Sequence, residues 1–329
     1  MAAPVHPKLQ SFDIIPATFK QVGNHGIRAD ILVPQTPYNG KRPTIVRFHG
    51  GGLMIGDSLY TDFWPHWLSD LALQHGAVIV SPNYRLMPQA TGLDIYDDVE
   101  DFWAWLRSPA VAELLAAHTT PTELDLTRIL LAGESAGGLL SVNSALAHAP
   151  EIRAATALYP ALNPCSPDFA TPRDASLLPF GQHTPKSLLE DYLASIAPDV
   201  PLSSTVSPSY LPLMLAAVEY GRLGAWYERG AEGSPRRSLL FPIEQLEKPD
   251  VQVPRGGITI IQGRQDSVVP PHHSESFVAR AREVARGKAG GDKIALIFQD
   301  GEHGFDGGLR YEEEWLREAL KTAVEAWLE

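Results

Sequence analysis

The chain has 329 residues, with 39 acidic against 27 basic side chains and a formal net charge of −12. A surface this acidic repels phosphate backbones and argues against nucleic-acid binding, while 44% hydrophobic and 20% charged residues suit a packed globular protein rather than a disordered one. The single cysteine, Cys165, excludes an intramolecular disulfide framework, and no apolar run reaches the ~20 residues of a membrane span. In chain order, Phe12–Lys20 and Ile27–Val33 read as two strands joined by a turn at Gly23–Asn24. Thr44–Phe48 (TIVRF) and Ala77–Ser81 (AVIVS) are short, β-branched and bounded by turn formers, the pattern of strands buried on both faces. Between them, the spacing of Trp64, Trp67, Leu68 and Leu71 predicts a helix over Asp62–Gln74. Asp94–Arg107 predicts another, with acidic residues in its first turns where the dipole favours them, and with Trp103 and Trp105 as packing residues.

Arg128–Ala132 (RILLA) is the next strand, Ser135–His148 a helix rich in Ala and Leu, and Ala154–Tyr159 a further strand. The rhythm then breaks. Residues 160–254 hold 14 of the 28 prolines and read as helix and loop. Proline lacks the ladder donor, so this stretch stays out of the sheet and reads as an insertion lying over it. Strands resume at Ile258–Gln262 (ITIIQ) and Ile294–Gln299 (IALIFQ), with a helix near Ser274–Arg286 between them. Arg280, Arg282, Arg286 and Lys288 read as the solvated face and end of that helix, and Glu312–Leu328 closes the chain as an amphipathic helix. Strands alternating with helices predict a mostly parallel sheet flanked by helices, an α/β fold. One domain then spans 1–329, with 160–254 as a cap and the N-terminal segment as a further contributor to it. Met1–Gln10 lacks the basic and apolar regions of a secretory leader, so a cytoplasmic protein is expected.

Three places carry chemistry. Gly133-Glu134-Ser135-Ala136-Gly137 follows strand RILLA directly and opens a helix. Small residues on both sides of the serine permit a sharp strand-to-helix turn that lifts Ser135 Oγ above the sheet edge and aims a helix N-terminus at it. The same serine would also serve as an N-cap at a tight turn, and what lies elsewhere favours a nucleophile. His49-Gly50-Gly51-Gly52 follows strand TIVRF, where glycines let backbone N–H groups approach a ligand, as an oxyanion needs; alone, it would also suit a flexible loop. A serine nucleophile requires a base oriented by a third group. His303, on a glycine-bracketed loop after strand IALIFQ, is the candidate base, and Asp266, in Gly263-Arg264-Gln265-Asp266 after strand ITIIQ, the candidate acid. Glu302 and Asp300 compete for the acid role, but the loop of His303 itself restricts them. His272 and His273, at a helix start, read as solvated or capping. The order Ser, Asp, His with all three past strand C-termini is that of α/β-hydrolases.

On these residues the chain resembles the α/β-hydrolase fold and, within it, the hormone-sensitive-lipase-like esterases. The matching pieces are His49–Gly52, Tyr84-Arg85-Leu86-Met87-Pro88 with Asp97-Asp98-Val99, Gly133–Gly137, and His303-Gly304-Phe305. The resemblance implies oxyanion donors at the N–H groups of Gly51, Gly52 and Ala136, a cap formed by the insertion, and no metal or organic cofactor. Two departures stand out. The family's acid motif D-P-L-x-D is here Gly263-Arg264-Gln265-Asp266-Ser267-Val268-Val269-Pro270, and Gln89 replaces the usual Glu after the proline of the Y-R-L-x-P motif.

The expected activity is that of a serine carboxylester hydrolase acting through an acyl-enzyme on a moderately sized, largely apolar small-molecule ester. Alternatives are acyl transfer, thioester cleavage or non-hydrolytic chemistry on a secondary-metabolite intermediate at the same site, and a non-catalytic ligand-binding protein. Tyr210, Met214 and Trp226 are the candidate substrate-binding residues, from a helically spaced stripe (Tyr210, Leu213, Met214, Ala217) that also suits core packing. The C-terminal helix and an edge strand offer surfaces for a homodimer.

Overall fold

The computed structural model describes residues 6–197, 200–206 and 210–329. Eight strands form one sheet: β1 Phe12–Val22, β2 His25–Pro34, β3 Arg42–Phe48, β4 Val78–Pro82, β5 Leu124–Gly133, β6 Ala154–Leu158, β7 Ile258–Gly263 and β8 Ala295–Gln299, in spatial order β1-β2-β4-β3-β5-β6-β7-β8. The first two strands pair antiparallel, β2 meets β4 antiparallel, and every remaining pairing is parallel.

The pleat divides the apolar runs between two cores, because successive side chains face opposite ways. Val46, Phe48, Val78, Val80, Ile129 and Leu131 face one core, under α2 Gly92–Leu106, α4 Ala136–Ala147 and α10 His272–Val284. Ile45, Ile79, Leu130 and Ala132 face the other, under α1 His66–His75 and α11 Glu314–Leu328. Both faces being covered explains why these strands read as continuous hydrophobic runs.

The helix predicted over Asp62–Gln74 begins at His66 instead. Pro65 occupies its N-cap, and Trp64 sits in the preceding turn, its indole under the Arg47 guanidinium and donating to Ser69 Oγ at 2.8 Å. A short helix not anticipated from sequence, α3 Pro109–Ala116, follows α2. Trp103 is buried and Trp105 packs against the same core, as packing residues should.

Between β6 and β7 the described residues add no strand to the sheet, only short helices: α5 Pro167–Ala170, α6 Lys186–Ser195, α7 Tyr210–Glu219, α8 Leu223–Glu228 and α9 Pro242–Leu246. α7 lies beside the carboxyl edge of the sheet, with Met214 against Gly52. α9 packs instead on α4 and α10, along the flank of the sheet, so the inserted stretch reaches well beyond that edge. Among the described residues no helix is long and apolar enough to cross a membrane.

Candidate active site

β5 ends at Gly133, α4 starts at Ala136, and the turn between them places Ser135 at φ 56°, ψ −119°. A side-chain-bearing residue avoids positive φ, so neighbours must impose it. Ser135 N–H donates to Leu158 O at 2.9 Å, pinning the elbow to β6. A Cβ on Gly133 would lie 2.2 Å from Gly137 O, and one on Gly137 would lie 2.0 Å from Phe48 O. Only glycine fits at either position. Beside the serine, Glu134 forms a buried pair with Arg47, whose Nε donates at 2.9 Å. Burial pushes the Glu134 carboxyl up to about 7 against the pull of that guanidinium.

The loops after β7 and β8 bring the other two predicted residues to this serine. His303 Nε2 lies 3.0 Å from Ser135 Oγ, and His303 Nδ1 lies 2.9 Å from Asp266 Oδ2. Because a carboxylate only accepts, Nδ1 carries the proton and Nε2 is left to accept from the serine hydroxyl. Asp266 is buried, at 4% exposure, yet well supplied with donors. Its Oδ1 accepts from Val268 N–H at 3.0 Å and Val269 N–H at 2.8 Å, and its Oδ2 from Gln262 Nε2 at 3.2 Å.

Gln262 escapes sequence reasoning, although one polar residue ending an apolar strand is a signal. The Tyr159 ring packs 4.5 Å from the imidazole, and its hydroxyl donates to Asp306, which also accepts from Trp67 Nε1 at 3.0 Å. Of the rival acids, Glu302 turns to backbone: its Oε1 accepts from Ser267 N–H at 2.6 Å and His303 N–H at 2.7 Å. Asp300 is exposed and faces Arg264 at 3.7 Å.

The glycine run after β3 approaches from the opposite side. His49 is buried and stacked 4.4 Å from Tyr84, whose hydroxyl donates to His49 O at 2.6 Å. Burial lowers the His49 pKa to about 4, so its ring is neutral, and Nδ1–H donates to Gly50 O at 2.8 Å. Gly51 and Gly52 have φ of 109° and 62°, and a Cβ on Gly51 would sit 2.1 Å from Ile55 O. Among the described residues the N–H groups of Gly51, Gly52 and Ala136 have no backbone acceptor. The Y-R-L-x-P segment is held by Arg85, which pairs with Asp98 and Asp94 at 2.9 Å each. Where Gln89 leaves no carboxylate, Arg229 Nη2 donates to Pro88 O at 2.8 Å.

Two cavities meet at Ser135 and Met214. A cleft of about 200 Å³ opens past Tyr159, His303 and Asp306, with Phe180 and Leu211 at its wall. A recess of about 30 Å³, lined by Gly52, Ala136, Leu139, Val218 and Val269, runs the other way and is almost wholly apolar. Of the candidate substrate-binding residues only Met214 lines these spaces. Tyr210 lies one turn position off and meets the Tyr192 ring, 6.0 Å away, and Trp226 is buried in the hydrophobic core. The face of α7 toward the site is Leu211, Met214 and Val218, an i, i+3, i+7 row.

A separate cluster joins α5 to α10. Asp168 Oδ2 lies 3.0 Å from both His272 Nε2 and His273 Nε2, the ligand types of a divalent-metal site. His272 is exposed as expected, whereas His273, expected to be solvated or capping, is buried, because α5 covers it. Metal ligation through Nε2 would fix the His273 proton on Nδ1, a buried atom with no partner among the described residues. Ligating histidines normally donate that proton to an acceptor, so the cluster suits a hydrogen-bonded brace better than a metal.

Comparison with known proteins agrees with this geometry. Residues 45–218 match the model of a family described as alpha/beta hydrolase fold. The chain is 32% identical over 340 aligned residues to "Probable carboxylesterase M8" of Phoma sp., covering 99% of this chain and 100% of that protein. It is 34% identical over 214 residues to "Probable carboxylesterase clz11" of Cochliobolus lunatus, covering 62% of this chain and 93% of that one. In fold it resembles a solved Staphylococcus aureus protein of unknown function, with a TM-score of 0.65 at 18% identity over 95% of this chain and 98% of the other. With its elbow, its sheet order and these relatives, the chain belongs to the alpha/beta hydrolase family.

Proposed function

We propose that the protein is a serine carboxylester hydrolase working through an acyl-enzyme, with Ser135 as nucleophile, His303 as base and Asp266 as acid. The observation that carries this reading is the relay of 3.0 Å from Ser135 Oγ to His303 Nε2 and 2.9 Å from His303 Nδ1 to Asp266 Oδ2. Ser135 Oγ attacks the ester carbonyl while Nε2 takes its proton. Charge developing on the carbonyl oxygen meets the amides of Gly51, Gly52 and Ala136 and the N-terminus of α4. The imidazolium then protonates the departing alcohol, and water activated by the same nitrogen releases the acid.

The substrate is a largely apolar ester of moderate size. The recess holds about two water-sized groups, which suits a short acyl chain, and the larger cleft takes the alcohol. The inserted residues between β6 and β7 act as a cap through α7, with the N-terminal segment adding Lys8, whose Nζ donates to Thr61 O at 2.8 Å and Trp64 O at 2.6 Å. A cytoplasmic location and a homodimer complete this reading.

Ser135→Ala tests it directly. Turnover of p-nitrophenyl esters should fall by at least about 10⁴-fold, since removing one member of such a unit removes most of its effect. Activity retained by the variant would overturn the assignment. Isotopic water separates hydrolysis from acyl transfer: the acid product should carry the label.

A further inference from the structure

Arg173, in the segment after α5, touches the acid's turn in an unusual way. Its Nη2 donates to Val268 O at 2.7 Å and its Nη1 to Ser267 O. The carbonyls of Ser267 and Val268 belong to the two peptide groups whose N–H ends, at Val268 and Val269, grip Asp266 Oδ1 at 3.0 and 2.8 Å. The guanidinium thus holds the acceptor ends of the two peptides that hold the carboxylate. Hydrogen bonds in such a chain polarise one another, and the cation adds to the dipole already aimed at Asp266.

Among the described residues Arg173 has no carboxylate within salt-bridge distance, so its charge is directed at main-chain oxygens. Its own position is set by the insertion: Nε donates to Asp168 O at 3.0 Å, and its N–H to Glu219 O at 2.8 Å on α7. The Asp168 carboxylate in turn is braced on His272 and His273 of α10. Phe180 N–H adds a second link from the insertion, to Ser267 Oγ at 2.7 Å. On the other side of the same turn, one oxygen of Glu302 joins Ser267 N–H to His303 N–H, tying the acid's loop to the base's loop.

We propose that Arg173 and Glu302 are positioning residues for the Asp266–His303 pair, and that Arg173 makes the alignment of the acid depend on the seating of the inserted segment. Cap and catalytic machinery are then one mechanical unit: lifting the Asp168–Arg173 segment frees the two peptides that orient the carboxylate. A substrate that completes the packing of this segment would tighten the acid. The inference rests on the esterase reading only for its kinetic readout.

The experiment compares Arg173→Ala, Arg173→Lys, Glu302→Ala and Glu302→Gln, with active sites counted by a fluorophosphonate titrant. Misplacement of a catalytic group by about 1 Å costs on the order of 100-fold. Arg173→Ala and Glu302→Ala should therefore lower kcat per titrated site by about 10- to 100-fold with KM within about threefold. Glu302→Gln keeps an acceptor oxygen and should recover most of the loss, while Arg173→Lys keeps the charge but not the fork and should recover part. The low-field proton resonance of the His303 Nδ1–H bond to Asp266 should weaken or shift in both alanine variants. If Arg173→Ala does not fold, the comparison of Arg173→Lys with wild type decides. Variants whose kcat per site and low-field proton match wild type, whatever their melting temperature, would overturn the proposal. An inactive wild type with an intact low-field signal that is lost in Arg173→Ala would sink the esterase reading and leave the positioning role standing.

Discussion

Ser135 keeps its positive φ only because Gly133, Gly137 and the bond to Leu158 O leave it no alternative, and the motif spells out that constraint in glycines. His303 and Asp266 are equally readable, each lying on the short loop just past the end of an apolar strand. Their supports are not. Tyr159, Asp306 and Arg173 act through contacts up to 239 positions apart, which leave no local pattern. His49 gives the residue scale a test. An unfolded histidine titrates near ~6.5, and burial lowers the folded value to about 4. The folded chain therefore refuses a proton that the unfolded chain binds between those values. Its contribution is complete above about pH 6.5 and is lost as pH falls toward 4, by up to about 3 kcal/mol. Denaturant unfolding of wild type and His49→Gln across this window isolates the contribution. The wild-type advantage should shrink on acidification, and an advantage independent of pH would show that His49 is not held neutral.

At the scale of elements, strands are the legible part because their apolar runs carry the period-2 division between two cores. All eight strands lie where the sequence puts them, with ends shifted by a few residues. Helix α7 shows where pattern reading fails. Its sequence is apolar nearly all round, with seven consecutive buried residues from Leu213 to Glu219, so spacing alone does not reveal which face meets the site. A stripe through Tyr210 and Met214 and a stripe through Leu211, Met214 and Val218 are equally helical, and only the packing of α7 on α6 and α5 chooses between them. On the proposed esterase reading, the chosen face acts as a size filter. Val218 is buried against the recess of about 30 Å³, and Val218→Ala deepens it by two methyl groups' worth of space. The ratio of kcat/KM for butyryl over acetyl p-nitrophenyl esters should rise by about 10-fold, the usual value of one or two methylenes in an apolar pocket. An acyl-length panel on both proteins reads this out. An unchanged profile would move the acyl group to the larger cleft.

For the whole molecule, half the prolines fall in the one stretch between β6 and β7 whose described residues stay out of the sheet, but composition does not say how it sits. Pairings such as Arg173 with Ser267 O, Asp168 with His273, and Arg229 with Pro88 O join distant parts of the chain. Both cores on either side of the sheet reach the candidate site: one, under α4 and α10, walls the recess, and the other, under α1 and α11, contributes Tyr159 beside His303. Trp327 is the anchor of α11, fully buried, with Nε1 donating to Arg128 O at 2.9 Å and Thr44 O at 3.2 Å across β5 and β3. Trp327→Ala removes a large buried side chain together with its two hydrogen bonds to main-chain oxygens, a change that typically costs about 3–5 kcal/mol. The melting temperature should fall by roughly 5 °C, while kcat well below that temperature stays within about twofold, because no catalytic group packs against this side chain. Calorimetry and esterase kinetics on the same sample test both halves. A large loss of kcat in the fully folded variant would mean that the second core, too, positions the nucleophile, through β5 and the elbow at its end.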